Sequence, residues 1–69
     1  MADLDFDNIF TYHAPKQGQE ERYKLIRSKA HELADLISSS CPPSRERSLA
    51  FTKLEESVMW ANASIARNE

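Results

Sequence analysis

A single cysteine, a single glycine and no uncharged stretch of membrane length mark this 69-residue chain. With only Cys41, no internal disulfide can form. His13 and His31 are the only other strong soft ligands, and no Cys/His spacing reads as a zinc site, so no metal is expected. With only Gly18, there is no glycine-rich loop to cradle phosphates as a P-loop does. The longest run without Asp, Glu, Lys or Arg falls far short of the ~18 apolar residues of a membrane span. Positive charge is scarce as well. The balance is 9 Lys+Arg against 11 Asp+Glu, a net charge of -2, with pI ≈ 5.6. That excludes bulk coating of duplex DNA but leaves room for a local phosphate site. The first residues carry neither a basic nor an apolar segment of a secretion signal, and the lone thiol fits a reducing cytoplasm.

The chain has no room for two domains or a dinucleotide-binding α/β fold. Below ~70–80 residues a single core rarely supplies more than ~3–5 kcal/mol. Disulfide and metal being excluded, oligomerisation is the remaining stabilising device.

What is present reads as one all-α domain over 1–69: an antiparallel two-helix hairpin with an extended N-terminal arm, expected to assemble as a homo-oligomer. The arm covers 1–18. Asp3, Asp5 and Asp7 alternate there with Leu4 and Phe6, and Pro15 biases Ala14 to extended geometry. Gly18 loosens the chain before the first helix. Phe6, Ile9, Phe10 and Tyr12 give the arm apolar groups to dock on its own helices or on a neighbour's. The first helix spans 19–39, with Glu20 and Glu21 in the first turn, where the macrodipole favours acids. Leu25, Ile26, Ala30, Leu33, Leu36 and Ile37 cover one broad side, extended by Tyr23 and Ala34. This arc is wider than one partner helix requires. Residues 40–43 form the loop: the serines weaken the helix end, Pro42 forbids its continuation, and Pro43 suits a first helical position. The second helix spans 44–68. Ala50, Leu54, Val58, Ala61 and Ile65 make one stripe, with Phe51 at its edge. Leu49, Met59, Trp60 and Ala63 fall on another side. A two-helix hairpin covers one such face. The other must meet another chain, a ligand or the arm.

Chemistry concentrates at Ser44-Arg45-Glu46-Arg47-Ser48, the start of the second helix. Cations are disfavoured there, yet two arginines occupy the turn. Two readings stand. In one, Glu46 and the arginines pair outward with charges of a neighbouring chain. In the other, the free amides, Arg45, Arg47 and the hydroxyls of Ser44 and Ser48 bind an anion such as phosphate. Tyr12 offers a stacking platform for a nucleobase, or a hydrophobic plug. Arg27 and Lys24 are basic groups on the exposed rim of the first helix. They can bind phosphate or pair at i,i+4 with Glu20, Glu21 or His31. No nucleophile, base and orienting group share a site. Glu55 and Glu56 diverge by about 100° around the helix, and His31 with Asp35 reads as a surface contact. An enzyme is not expected, nor any cofactor.

Several strings nevertheless resemble a known family. They are Phe10-Thr11-Tyr12-His13-Ala14-Pro15, Glu21-Arg22-Tyr23 with Ile26-Arg27, Pro42-Pro43-Ser44-Arg45-Glu46-Arg47-Ser48, and Met59-Trp60-Ala61-Asn62-Ala63 running on to Arg67-Asn68. Together they resemble the phage anti-CBASS nucleotide sponges, the type-two family of small helical hairpins, and a similar hairpin occurs in phage proteins that counter the Thoeris defence. The resemblance covers roughly residues 10–68. It implies a homohexamer that binds cyclic dinucleotides such as cyclic GMP-AMP in the cytoplasm of the infected bacterial host. The ligand is withheld from its effector and not cleaved, and some members also hold cyclic trinucleotides in a separate pocket. No membrane and no DNA are implied as partners. For the dinucleotide, the matching positions are Tyr12 and Arg27. The family has lysine at the latter, and arginine adds a bidentate fork. For the trinucleotide they are Arg67, with Ser28 near it in the assembled particle. Arg45, Arg47 and Ser48 join the dinucleotide list on physical grounds alone. The competing expectation is a helical protein-interaction module with no nucleotide.

Overall fold

The computed structural model describes residues 6–10, 12 and 14–69. Its described elements are all helical: α1 (Phe6–Phe10), α2 (Gln19–Ser40) and α3 (Arg45–Asn68). The long helices α2 and α3 pack against each other as a hairpin. The seam follows helical spacing. From α2, Tyr23, Ile26, Ala30, Ala34 and Ile37 are half-buried, and Ala50, Phe51, Leu54, Val58, Ala61 and Ile65 answer them from α3.

Beyond this seam the apolar residues have no cover. Among the described residues no hydrophobic side chain is fully buried. The radius of gyration is 15.0 Å, where a compact chain of this length has about 11 Å. Leu25, Leu33 and Leu36 on α2, and Leu49, Met59 and Trp60 on α3, remain exposed, Trp60 by 56%. The described part of the arm therefore leaves Met59 and Trp60 exposed. Ala63, expected on that outer side, is half-buried instead, beside Ile9 of α1.

Of the arm, Phe6–Phe10 departs from the extended form expected, residues 12 and 14–16 are not helical, and the alternation at Asp3, Leu4 and Asp5 lies outside the described residues. Phe6–Phe10 closes a helical turn, with the Phe6 and Phe10 rings stacked at a centroid distance of 6.3 Å. Their i,i+4 spacing puts both rings on one side of a helix, and that contact competes with the alternating pattern that suggests extension. Both rings face outward, while Ile9 is half-buried. Gly18, too, does something other than loosen the chain. With φ 85 and ψ -15 it sits in the third position of a turn closed by the Gln19 N–H donating to the Lys16 carbonyl at 3.0 Å. That left-handed position is one glycine occupies without strain.

At the loop end, α3 begins one residue later than expected. Ser44 has extended backbone and acts as the N-cap, its hydroxyl accepting from the Arg47 N–H at 3.1 Å. Pro43 thus precedes the cap instead of opening the helix. The Arg47 side chain explains why an arginine tolerates this turn. Its Nη1 donates to the carbonyls of Ser38 at 3.3 Å and Cys41 at 3.2 Å. These are groups at the C-terminal end of α2, where a cation is favourable. The guanidinium also lies 5.7 Å from the centre of the Phe51 ring. Arg47→Ala is expected to destabilise the fold by about 1–2 kcal/mol. At about 4–8 °C per kcal/mol for a domain of this size, a thermal melt reads that directly. An unchanged Tm would show that the loop is held by its backbone alone.

Candidate anion-binding site

The residues singled out by sequence fall at two ends of the hairpin. Arg45, Arg47 and Ser48 lie at the loop. Arg27 lies toward the open end, and Arg67 occupies the last turn of α3. From Arg27 to the end of α2 the rise is about 20 Å. One small ligand cannot touch both groups within one chain. Ser44 and Arg47 are already engaged as cap and loop clamp. Ser48 uses its main-chain groups within the helix, the N–H to Ser44 and the carbonyl to the Thr52 hydroxyl, each at 3.1 Å. Arg45 is exposed.

The open end brings more together. An open pocket of about 440 Å³ is lined by Ile9, Tyr23, Arg27, Asn62, Ala63, Ala66 and Arg67. That volume lies within the about 300–1,000 Å³ typical of small-molecule sites. Arg27 forms the ridge between this pocket and a second depression lined by Lys24, Ser28, His31 and Glu32. Arg27 and Arg67 therefore share a wall, while Ser28 lies across the ridge from Arg67. Tyr12 stands 83% exposed and lines neither hollow.

Among the described residues the charges of Lys24 and Arg27 are left uncompensated. The i,i+4 partners considered for Lys24 and Arg27 are not taken up. The side-chain pairs along the helices are Lys29–Glu32 at 3.3 Å, His31–Asp35 at 3.2 Å and Lys53–Glu56 at 3.5 Å. Among the described residues Arg27 has neither a hydrogen-bond nor an ion-pair partner. A solvated guanidinium with no internal carboxylate retains all its donors for an external anion.

Sequence reasoning missed two features here. One is Asn62, a pocket-lining residue whose Oδ1 is buried with no hydrogen-bond partner among the described residues. An unmet acceptor of this kind is uncommon. Its only sequence signal is a polar residue amid Trp60, Ala61 and Ala63. The other is a polar clasp at the mouth of the hairpin. Glu69 receives a two-pronged contact from Arg22, with Nη1 to Oε2 at 2.8 Å and Nη2 to Oε1. Gln19 Nε2 donates to Glu69 Oε1 at 3.4 Å, and Lys16 Nζ donates to the Glu69 main-chain oxygen. Gln19 Oε1 in turn accepts from the Lys16 N–H at 2.9 Å. The Arg22 hydrogen bond is the main cause that lowers the Glu69 carboxyl from 4.5 to about 2, with the Gln19 bond and the charges of Arg22 and Lys16 adding to it and desolvation opposing. A depressed carboxyl stabilises the folded form above its unfolded value. The clasp's contribution is therefore complete above about pH 4.5 and is lost as pH falls toward about 2.

Among the described residues no helix is long and apolar enough to cross a membrane. Neither the curated proteins nor the solved structures provide a match to the chain. A family model does: the one described as the Acb2/Tad1 hairpin domain matches residues 2–66. This span takes in α1, α2 and nearly all of α3, so the Arg27 rim, the loop clamp and the pocket lining apart from Arg67 lie inside it. The chain belongs to the Acb2/Tad1 hairpin-domain family, the family of anti-CBASS sponges.

Proposed function

We propose that this protein is a non-enzymatic sponge that binds cyclic dinucleotides of the cyclic GMP-AMP type and withholds them from the effectors of CBASS immunity inside the infected host. Family membership supports the sponge role. The observation that carries the reading to these ligands is Arg27: a guanidinium with no partner among the described residues, lining a pocket together with Arg67, in a chain of net charge -2. In this reading Arg27 contacts a ligand phosphate and Tyr12 stacks on a base. Arg67 and Ser28 serve a second ligand class, cyclic trinucleotides.

The sponge is a homo-oligomer, a hexamer in the family pattern. The support is physical: a hairpin with no buried hydrophobic residue among those described needs further copies to cover Leu33, Leu36, Met59 and Trp60. A ring of two nucleotides is close to two-fold symmetric and matches a two-fold interface, so each copy supplies one Tyr12 and one Arg27. Arg45 and Ser48, at the far end of the hairpin, join such a site only from a neighbouring copy.

A sponge works by mass action. Nanomolar affinity corresponds to about -12 kcal/mol. Charge-assisted bonds at ~1.5–3 kcal/mol each and stacking at ~1–3 kcal/mol per base reach that range from two copies, less the ordering of the arm.

A thermal-shift panel of cyclic di- and trinucleotides tests the proposal. A ligand at ~100 times its dissociation constant adds ~2.7 kcal/mol, and a Tm rise of about 10 °C is the expected result. Recovery of the ligand intact after denaturation separates binding from cleavage. A flat response across the panel would favour a protein-interaction module.

A further inference from the structure

We propose that the clasp of Lys16, Gln19, Arg22 and Glu69 is a positioning device for the ligand groups, holding the end of the arm that carries Tyr12 and the last turn of α3 that carries Arg67 each in its own place. The proposal rests on the nucleotide-binding reading above, because Tyr12 and Arg67 matter only if a ligand meets them.

The argument starts from where the chain is most enclosed. Gln19 is 3% exposed and is the buried residue among those described, and it is polar. A hairpin that fully buries no hydrophobic side chain in its seam has closed itself around an amide at its mouth. That amide joins three segments. Its Oε1 holds the Lys16 N–H, in the turn that ends the arm, and its Nε2 reaches Glu69, beyond the end of α3. Arg22 completes the junction from the second turn of α2 with a fork onto the same carboxylate. A fork of this geometry fixes orientation as well as distance.

The neighbours of these residues are the proposed ligand groups. Arg67 precedes Glu69 by two positions, and Tyr12 precedes Lys16 by four. Arg22 adjoins Tyr23, which lines the pocket with Arg27 and Arg67. Free helix ends and arms are the first parts of a fold to open, with opening free energies near zero. Without the clasp, the turn carrying Arg67 and the strap carrying Tyr12 would both fray. Side chains exposed by 47% and 43% make Arg22–Glu69 a weak source of overall stability. Its effect is to limit the conformations available at the site, so that less ordering remains to be done when ligand arrives.

The test uses the full chain, with cyclic GMP-AMP and cyclic triadenylate as probes in calorimetry. Glu69→Gln and Arg22→Gln are each expected to weaken whichever probe the wild type binds by about two- to fivefold, the size of an exposed ion pair. The double variant is expected to lose no more than either single one, since both remove the same contact. Hydrogen exchange supplies the second readout. Amides of 16–19 and 66–69 are expected to exchange faster in both variants, with those around Leu54 unchanged. Additive losses, or wild-type affinity in both single variants, would overturn the positioning role. If the wild type bound neither probe, the nucleotide reading would fail first. Exchange then decides the clasp itself, and unchanged protection in the variants would sink it.

Discussion

Replacing Arg27 by alanine is expected to weaken cyclic GMP-AMP binding by at least about 100-fold while leaving the assembly intact. The estimate follows from the environment of the side chain. Arg27 is exposed and has no ion pair or hydrogen bond among the described residues, so its removal leaves no group unsatisfied and opens no cavity. What is lost is one charge-assisted contact per copy, ~1.5–3 kcal/mol each, and every ~1.4 kcal/mol is tenfold in affinity. Arg27→Lys separates charge from geometry. A lysine keeps the point charge and gives up the fork, so it is expected to recover most of the loss if phosphate is held by charge alone. Tyr12→Ala is the companion variant. Its ring stands 83% exposed, so no packing is disturbed, and loss of stacking is the expected effect. Calorimetry measures each affinity and sedimentation checks the assembly. Unchanged affinity in both alanine variants would reject the site.

The hairpin was legible because its signals are local. Pro42 and Pro43 stop one helix, and the apolar spacing of Ile26, Ala30, Ala34 and Ile37 against Leu54, Val58, Ala61 and Ile65 defines the seam. The surplus faces were legible for the same reason, since Leu36 and Trp60 fall off the seam by period alone. At Phe6–Phe10 the extended reading of the arm gave way because two patterns overlap there. The Asp alternation argued for extension, and the Phe6–Phe10 pair decided for a turn. Arg47 was read only as an outward-facing or anion-binding group, because its partners Ser38 and Cys41 belong to the end of the other helix. The clasp was missed for a similar reason: Arg22 and Glu69 lie 47 residues apart. A signal did exist. A short loop between helices of 22 and 24 residues brings the start of one beside the end of the other. An acid at one and a base at the other is then a pair worth testing. Asn62 carried no such signal, because an unmet acceptor is a property of packing and not of spacing.

Trp60→Ser, combined with Leu33→Ser, is expected to convert the assembly into single copies that are largely unfolded at micromolar concentration. Neither residue belongs to the α2–α3 seam: both are exposed in the lone hairpin, Trp60 by 56% and Leu33 by 45%. A substitution there removes only the partial cover each side chain has within its own chain, Leu33 at the margin of the seam near Leu54 and Val58, so for a true monomer the cost would be small. The expected harm comes mainly through neighbours. Buried aromatics at the centre of an interface contribute ≥ about 2 kcal/mol when truncated, and a ring of copies repeats the loss at every contact. Because a lone hairpin keeps no fully buried hydrophobic side chain among those described, separation and unfolding should be one event. The wild-type Tm should then rise with protein concentration, as it does when only the assembled form is folded. Lys53→Ala, on a side where Lys53 meets only Glu56, serves as the control and should change neither size nor Tm. Sedimentation and circular dichroism over a concentration series measure both quantities. A wild-type protein that sediments as one folded copy at micromolar concentration, with a Tm indifferent to dilution, would mean that the exposed faces have some other occupant. The ligand site would then have to be completed within a single hairpin, where Arg27 and Arg67 share a wall but Tyr12 stands apart.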